Sequence, residues 1–230
     1  MIFNQLFDDK SSTYTYIIAS DRGREALIID PVIEKTDKYL KILKDLDLKL
    51  VKVIDTHIHA DHITGLNELS KRTNCTKIMG ECSKSEVIDL KVKEDEKIKI
   101  DNIELKTIYT PGHTDCSYSF IMNDKVFTGD TLLINGTGRT DFQNGSAETQ
   151  YDSLFNKLLK LPDKTIVYPA HDYNGKKFST IGDEKNKNPR LQVENVDQYI
   201  EIMNNLKLAN PKMMDIAVPA NLKGVTLDQL

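Results

Sequence analysis

Apolar positions recur along this chain with two periods, and the switches between them set out a series of strands and helices. Runs rich in β-branched and aromatic residues at Tyr14–Ala19 and Glu25–Asp30, joined by the turn-prone Ser20-Asp21-Arg22-Gly23-Arg24, predict a hairpin that Pro31 stops. Between Lys35 and Leu48 the apolar residues Tyr39, Leu40, Leu43, Leu46 and Leu48 fall at helical spacing among charged ones, which predicts a helix with one buried face. Leu50-Val51-Lys52-Val53-Ile54 reads as a strand, and Leu66 and Leu69 within 63–73 as part of a helix behind it. Alternation returns over 97–100, 103–108, 117–122 and 125–128, broken by Asp101-Asn102 and Asn123-Asp124, and predicts a second set of strands. A helix over 148–161 with Leu154, Leu158 and Leu161 on one face, ended by Pro162-Asp163, leads to a strand at 165–168. A polar loop from Asn174 to Arg190 and a last helix from Val193 to Leu206 complete the pattern. Alternating strands and helices, with runs of adjacent strands between them, predict an α/β chain of layered sheets covered by helices. Its 230 residues suit one domain, 1–230.

Charge and composition narrow the classes. Lys and Arg total 31 against 35 for Asp and Glu, and the basic residues are scattered, which argues against nucleic acid as a partner. The segment Met1–Asp9 lacks a basic start followed by an apolar stretch, and no apolar run approaches the roughly 20 residues that span a bilayer. No membrane partner is expected. Cys75, Cys82 and Cys116 are odd in number and lack CxxC spacing, which suits a reducing compartment and a cytoplasmic location. Cys116 alone lies close in sequence to the candidate chemistry described next.

Thr56-His57-Ile58-His59-Ala60-Asp61-His62 places three histidines and an aspartate directly after an apolar strand. Residues two apart on an extended segment point to the same side, so His57 and His59 can converge while the turn brings Asp61 and His62 beside them. Three further segments have the same construction: Thr110-Pro111-Gly112-His113-Thr114, Phe127-Thr128-Gly129-Asp130-Thr131 and Pro169-Ala170-His171-Asp172-Tyr173. In each, a strand delivers a small or turn-forming residue and a His or Asp follows. A lone His113, His171 or Asp130 suits a loop or turn as well as a metal. Crowding three imidazoles and a carboxylate into one turn has little structural benefit and points to metal binding.

The HxHxDH segment, the later Pro-Gly-His-Thr and Gly-Asp-Thr, and the final His171 resemble the metallo-β-lactamase superfamily over nearly the whole chain. The resemblance implies an αββα sandwich, two mixed sheets flanked by helices, with a metal site at one edge between the sheets. Ala60-Asp61-His62-Ile63-Thr64-Gly65, Gly138-Arg139-Thr140-Asp141-Phe142-Gln143, Asn188-Pro189-Arg190-Leu191 and Val218-Pro219-Ala220-Asn221 resemble the persulfide dioxygenase branch. A glyoxalase II-type hydrolase would carry a Gly-Arg-Phe-Phe-like segment and Gly-His-Glu-Tyr in place of 139–142 and 170–173, and a longer C-terminal helical region. Asp115-Cys116 departs from the dioxygenase pattern without touching a ligand.

By position, the resemblance implies His57, His113 and Asp130 as catalytic ligands of one Fe(II) per chain, since two imidazoles and a carboxylate leave three coordination positions open. His59, Asp61, His62 and His171 become supporting groups, or the ligands of a second metal if the enzyme is a zinc hydrolase. The implied reaction oxidises glutathione persulfide with O2 and water to sulfite and glutathione, in sulfide detoxification. Arg139 and Tyr173 are the candidates for holding the two glutathione carboxylates, with Lys176 and Arg190 as weaker ones, more suited to solvated surface charges. A rhodanese-type sulfurtransferase that supplies the persulfide and a second copy of the chain are the macromolecular partners this reading allows. The alternatives are a hydroxyacylglutathione hydrolase with a zinc or mixed dinuclear site, and a non-catalytic, metal-bound sulfide-sensing module.

Overall fold

The computed structural model describes residues 1–209, 211 and 213–230. Two compact units divide the chain. Met1–Val92, Lys97–Leu105 and the described C-terminal residues up to Leu230 form the first, and Lys93–Glu96 with Lys106–Ala209 the second.

The first unit is built on a sheet ordered β1-β2-β3-β4-β5-β6. β1 (Ile2–Asp8) is half-buried, β2 (Thr13–Ala19) is buried along its whole length and β3 (Glu25–Ile29) nearly so. α1 (Thr36–Asp45) buries Tyr39 and Leu43, one stripe of an otherwise charged helix. β4 (Lys49–Ile54), α2 (Leu66–Thr73), β5 (Thr76–Gly80) and β6 (Leu90–Val92) follow. β3, β4, β5 and β6 pair in parallel, so the loops leaving β3 and β4 emerge at the same sheet edge.

β7 (Lys97–Ile100), β8 (Ile103–Tyr109), β9 (Tyr118–Met122) and β10 (Lys125–Gly129) come next. The expected helix over 148–161 is α-helical only over α3 (Ala147–Asp152). It widens to a π turn at Ser153–Lys157 and tightens to a 3-10 turn at Leu158–Lys160 while still burying Leu154 and Leu158. β11 (Ile166–Pro169) follows. The expected loop after Asn174 instead contains β12 (Ser179–Thr180) and α4 (Ile181–Lys187), capped by the Thr180 hydroxyl. Only Ile181 and Glu184 of α4 are buried, too few to print an apolar period on the sequence. α5 (Val196–Asn204) packs Tyr199 and Met203 into a core with Val126, Leu154, Leu158, Val167 and Ile181.

The second sheet is ordered β12-β11-β10-β9-β8-β7. β8 is antiparallel to β9, β9 to β10, and β10 is parallel to β11. Two reversals restore direction, so β8, β10 and β11 all end at one edge. α6 (Met214–Lys223) returns to the first unit, where Ala217 and Ala220 pack on Ile33 and Ile63. Periodicity does not reveal α6, because Pro219 lies inside it and reads as a breaker. Among the described residues no helix is long and apolar enough to cross a membrane.

Candidate metal centre

In the first unit the segment after β4 is buried, with His57, His59 and His62 at 1%, 0% and 4% exposure. Its anchor is Asp30, an acid directly after β3 that sequence reading passed over. Asp30 accepts the Thr56 backbone N–H at 2.7 Å and the Thr56 hydroxyl at 3.0 Å. Because that hydroxyl gives its proton to Asp30, its 2.9 Å contact with His57 Nδ1 is one it accepts. The chain of bonds therefore assigns the His57 proton to Nδ1 and the ring's lone pair to Nε2.

His59 Nε2 lies 3.2 Å from Asp30 Oδ1, while His59 Nδ1 is buried with no hydrogen-bond partner. An imidazole fixed on one nitrogen by a carboxylate and bare on the other is the arrangement that carboxylates impose on metal-binding histidines. Burial alone would lower the His59 pKa, but the charge and hydrogen bond of Asp30, aided by Asp55, raise it to about 9. Burial pushes Asp55 up to about 8 against the pull of His59. His62 Nδ1 lies 2.9 Å from Asp61 Oδ2, which also accepts the Thr13 hydroxyl at 3.1 Å. His59, Asp61 and His62 each offer a ligand atom, all within 4.8 Å of one another. Asn221 of α6 staples this loop: it donates to the His59 and His62 carbonyls at 2.9 and 3.0 Å and accepts the Thr64 N–H at 2.9 Å.

In the second unit the ends of β8, β10 and β11 bring His113, Asp130 and His171 together. His113 Nδ1 donates to the Arg139 carbonyl at 2.7 Å, leaving the lone pair on Nε2, which faces Asp130 Oδ2 at 3.5 Å. A lone pair and a carboxylate oxygen at that separation suit a cation between them. His171 Nδ1 donates to the other Asp130 oxygen at 2.7 Å. The His113 loop turns at Gly112, whose φ of +134° and crowding by Gln150 Cα, 2.3 Å from an added Cβ, admit only glycine.

The model of the metallo-β-lactamase superfamily matches residues 8–81 and 83–171, across both units. The chain belongs to the metallo-β-lactamase superfamily. It is 42% identical to the mitochondrial persulfide dioxygenase ETHE1 of Mus musculus over 97% of this chain and 88% of the relative. The crystal structure of ETHE1 from Myxococcus xanthus superposes with a TM-score of 0.94 at 47% identity, covering 96% of this chain and 98% of the other. Hydroxyacylglutathione hydrolase from Dictyostelium discoideum is 32% identical over 77% of this chain and 69% of its own. Within the superfamily the chain therefore stands in the persulfide dioxygenase branch, and the two mixed sheets with their helices are the α/β sandwich fold that the sequence implied.

Arg139 Nε and Nη2 bind Asp141 at 2.6 and 2.7 Å, Nη1 donates to the Ala209 carbonyl at 2.7 Å, and the guanidinium stacks 4.3 Å above Phe142. The Arg139 guanidinium holds the Asp141 carboxyl below its ordinary pKa. Tyr173 is 72% exposed, its ring parallel to His171 at 6.1 Å between centroids. Lys176 is exposed. Arg190 is no solvated surface charge: it is half-buried and donates to the Thr137 carbonyl. Cys116 is buried with Sγ 3.4 Å from the Thr114 hydroxyl, an apolar packing position. Sequence reading missed Asp30 and Asn221 as supports. Asp30 had a signal, since an acid immediately follows a buried strand just as Asp130 does.

Proposed function

We propose that this chain is an iron-dependent dioxygenase of glutathione persulfide. One observation carries the reading: the likeness to persulfide dioxygenase spans 97% of the chain at 42% identity, against 77% at 32% for the hydrolase. One persulfide, one O2 and one water give glutathione and sulfurous acid, ionised to sulfite. Both oxygens of O2 go to the terminal sulfur, and water completes the sulfite as the S–S bond breaks and its proton returns to the glutathione thiol.

In this proposal His57, His113 and Asp130, the positions that the family resemblance implies, would hold a single Fe(II). When bound, ferrous iron supplies the electron transfer to O2 that redox-inert zinc lacks. The protein's part is to aim the donors. Thr56 and Asp30 hold the proton on His57 Nδ1, the Arg139 carbonyl holds it on His113 Nδ1, and His171 orients the Asp130 carboxylate. Arg139 and Tyr173 would bind the glutathione carboxylates, Arg139 in competition with Asp141. A rhodanese-type enzyme would deliver the persulfide, a second copy of the chain would complete a homodimer, and the three free cysteines suit the reducing cytoplasm.

The His59, Asp61 and His62 group favours a second reading, a dinuclear hydrolase of hydroxyacylglutathione. Elemental analysis of the native protein with an oxygen electrode separates the two. One iron per chain and one O2 consumed per persulfide support the dioxygenase. Two metals, no oxygen uptake and release of thiol from S-lactoylglutathione would overturn it.

A further inference from the structure

Gln150 bears on His113 from two directions. Its backbone presses on Gly112, where an added Cβ would lie 2.3 Å from its Cα and 2.4 Å from its nitrogen. Its side-chain Nε2 donates to the Gly138 carbonyl at 3.1 Å. Gly138 is itself wedged against both candidate ligands. Its N–H donates to the Asp130 carbonyl at 2.7 Å, and a Cβ there would meet that oxygen at 2.2 Å and His113 Cγ at 2.8 Å. The next carbonyl along, Arg139 O, is the one that accepts the His113 Nδ1 proton.

The Gly138 carbonyl decides which way the Gln150 amide points, and Tyr199 of α5 holds the other end. Both side chains are fully buried, and the Tyr199 hydroxyl donates to Gln150 Oε1 at 2.7 Å while lying 3.1 Å from Thr137 Oγ1. The Gly138 carbonyl can only accept, so the NH2 end faces it and Oε1 is left to take the Tyr199 hydroxyl proton; reversed, the amide would set oxygen against oxygen at Gly138.

We propose that Gln150, held at its amide oxygen by Tyr199, is a positioning residue for the His113 and Asp130 pair: it fixes the Gly138–Arg139 peptide and so the carbonyl that aims His113. The inference rests on reading that pair as metal ligands. The test exchanges the metal of the full chain for Co(II), measuring its dissociation constant and visible absorption bands in Gln150→Met, Tyr199→Phe, Thr180→Ala and His113→Ala. Groups that orient metal ligands are typically worth about 10–100-fold in affinity. Gln150→Met and Tyr199→Phe should each weaken Co(II) binding to that extent and shift its bands. Thr180→Ala, which loses only the α4 cap, should move neither. If Gln150→Met does not fold, Tyr199→Phe carries the test, because it keeps the ring contacts with Tyr151 and Phe155. Parent-like affinity and bands in the folded variants would overturn the inference, provided His113→Ala abolishes binding. Parent-like binding in His113→Ala would instead overturn the ligand reading beneath it.

Discussion

His57, His59 and His62 in the first unit leave one strand in one short segment and are steadied by the Asp30 and Asp61 carboxylates. His113, Asp130 and His171 in the second leave three strands, and main chain helps to hold them: the Arg139 carbonyl and the glycines at 112 and 138. The same task, holding ionisable donors in a fixed attitude, is met by buried charge in one unit and by close approach of main chain in the other. Buried charge tolerates small shifts in geometry but not the loss of a partner; close approach does not tolerate an added methyl group.

Breaking each side tests that contrast. The largest effect belongs to Asp130→Ala, which removes a proposed ligand and the acceptor for His171. Metal content per chain should fall to background and persulfide-dependent oxygen uptake with it. Retention of both would show that the second unit's carboxylate is not a ligand. Next comes Asp30→Ala, which strips the acceptor from Thr56 and His59. Removing one partner of a buried pair costs on the order of 3–5 kcal/mol, so denaturant unfolding of chelated protein should shift by about that amount. An unchanged midpoint would mean that charge does not hold the first segment.

Gly138→Ala should be milder in stability, about 1–3 kcal/mol for an overpacked methyl group, yet more specific to the site. Metal affinity should fall while the first unit's protection from hydrogen exchange stays as in the parent. Equal loss of protection in both units would erase the contrast. The smallest effect is expected from Arg139→Ala. Its ion pair with a largely exposed Asp141 contributes at most about 1 kcal/mol, so the unfolding midpoint should barely move. The Michaelis constant for glutathione persulfide should rise with kcat preserved, and an unchanged value would confine Arg139 to the link between Asp141 and the Ala209 carbonyl.

What the chain makes legible by itself follows from locality. The hairpin of β2 and β3, the strands β4 and β7 to β11, and the helices α1, α2 and α5 show because each is a local apolar run or a local apolar spacing in the sequence. The HxHxDH segment shows because its chemistry is crowded into one turn. α4 and α6 are hidden, the first because two buried residues make no period and the second because Pro219 reads as an end. The supports are hidden for another reason. Gln150, Tyr199 and Asn221 are ordinary polar residues whose partners lie far away in sequence, as Asn221 does from the His59 carbonyl and Tyr199 from Gln150. The sequence alone determined the family and singled out His57, His113 and Asp130 as the candidate ligands to test. Only the tertiary structure decided which nitrogen of His57 and His113 carries the proton, because that is set by a carboxylate or carbonyl that folding brings within hydrogen-bond reach.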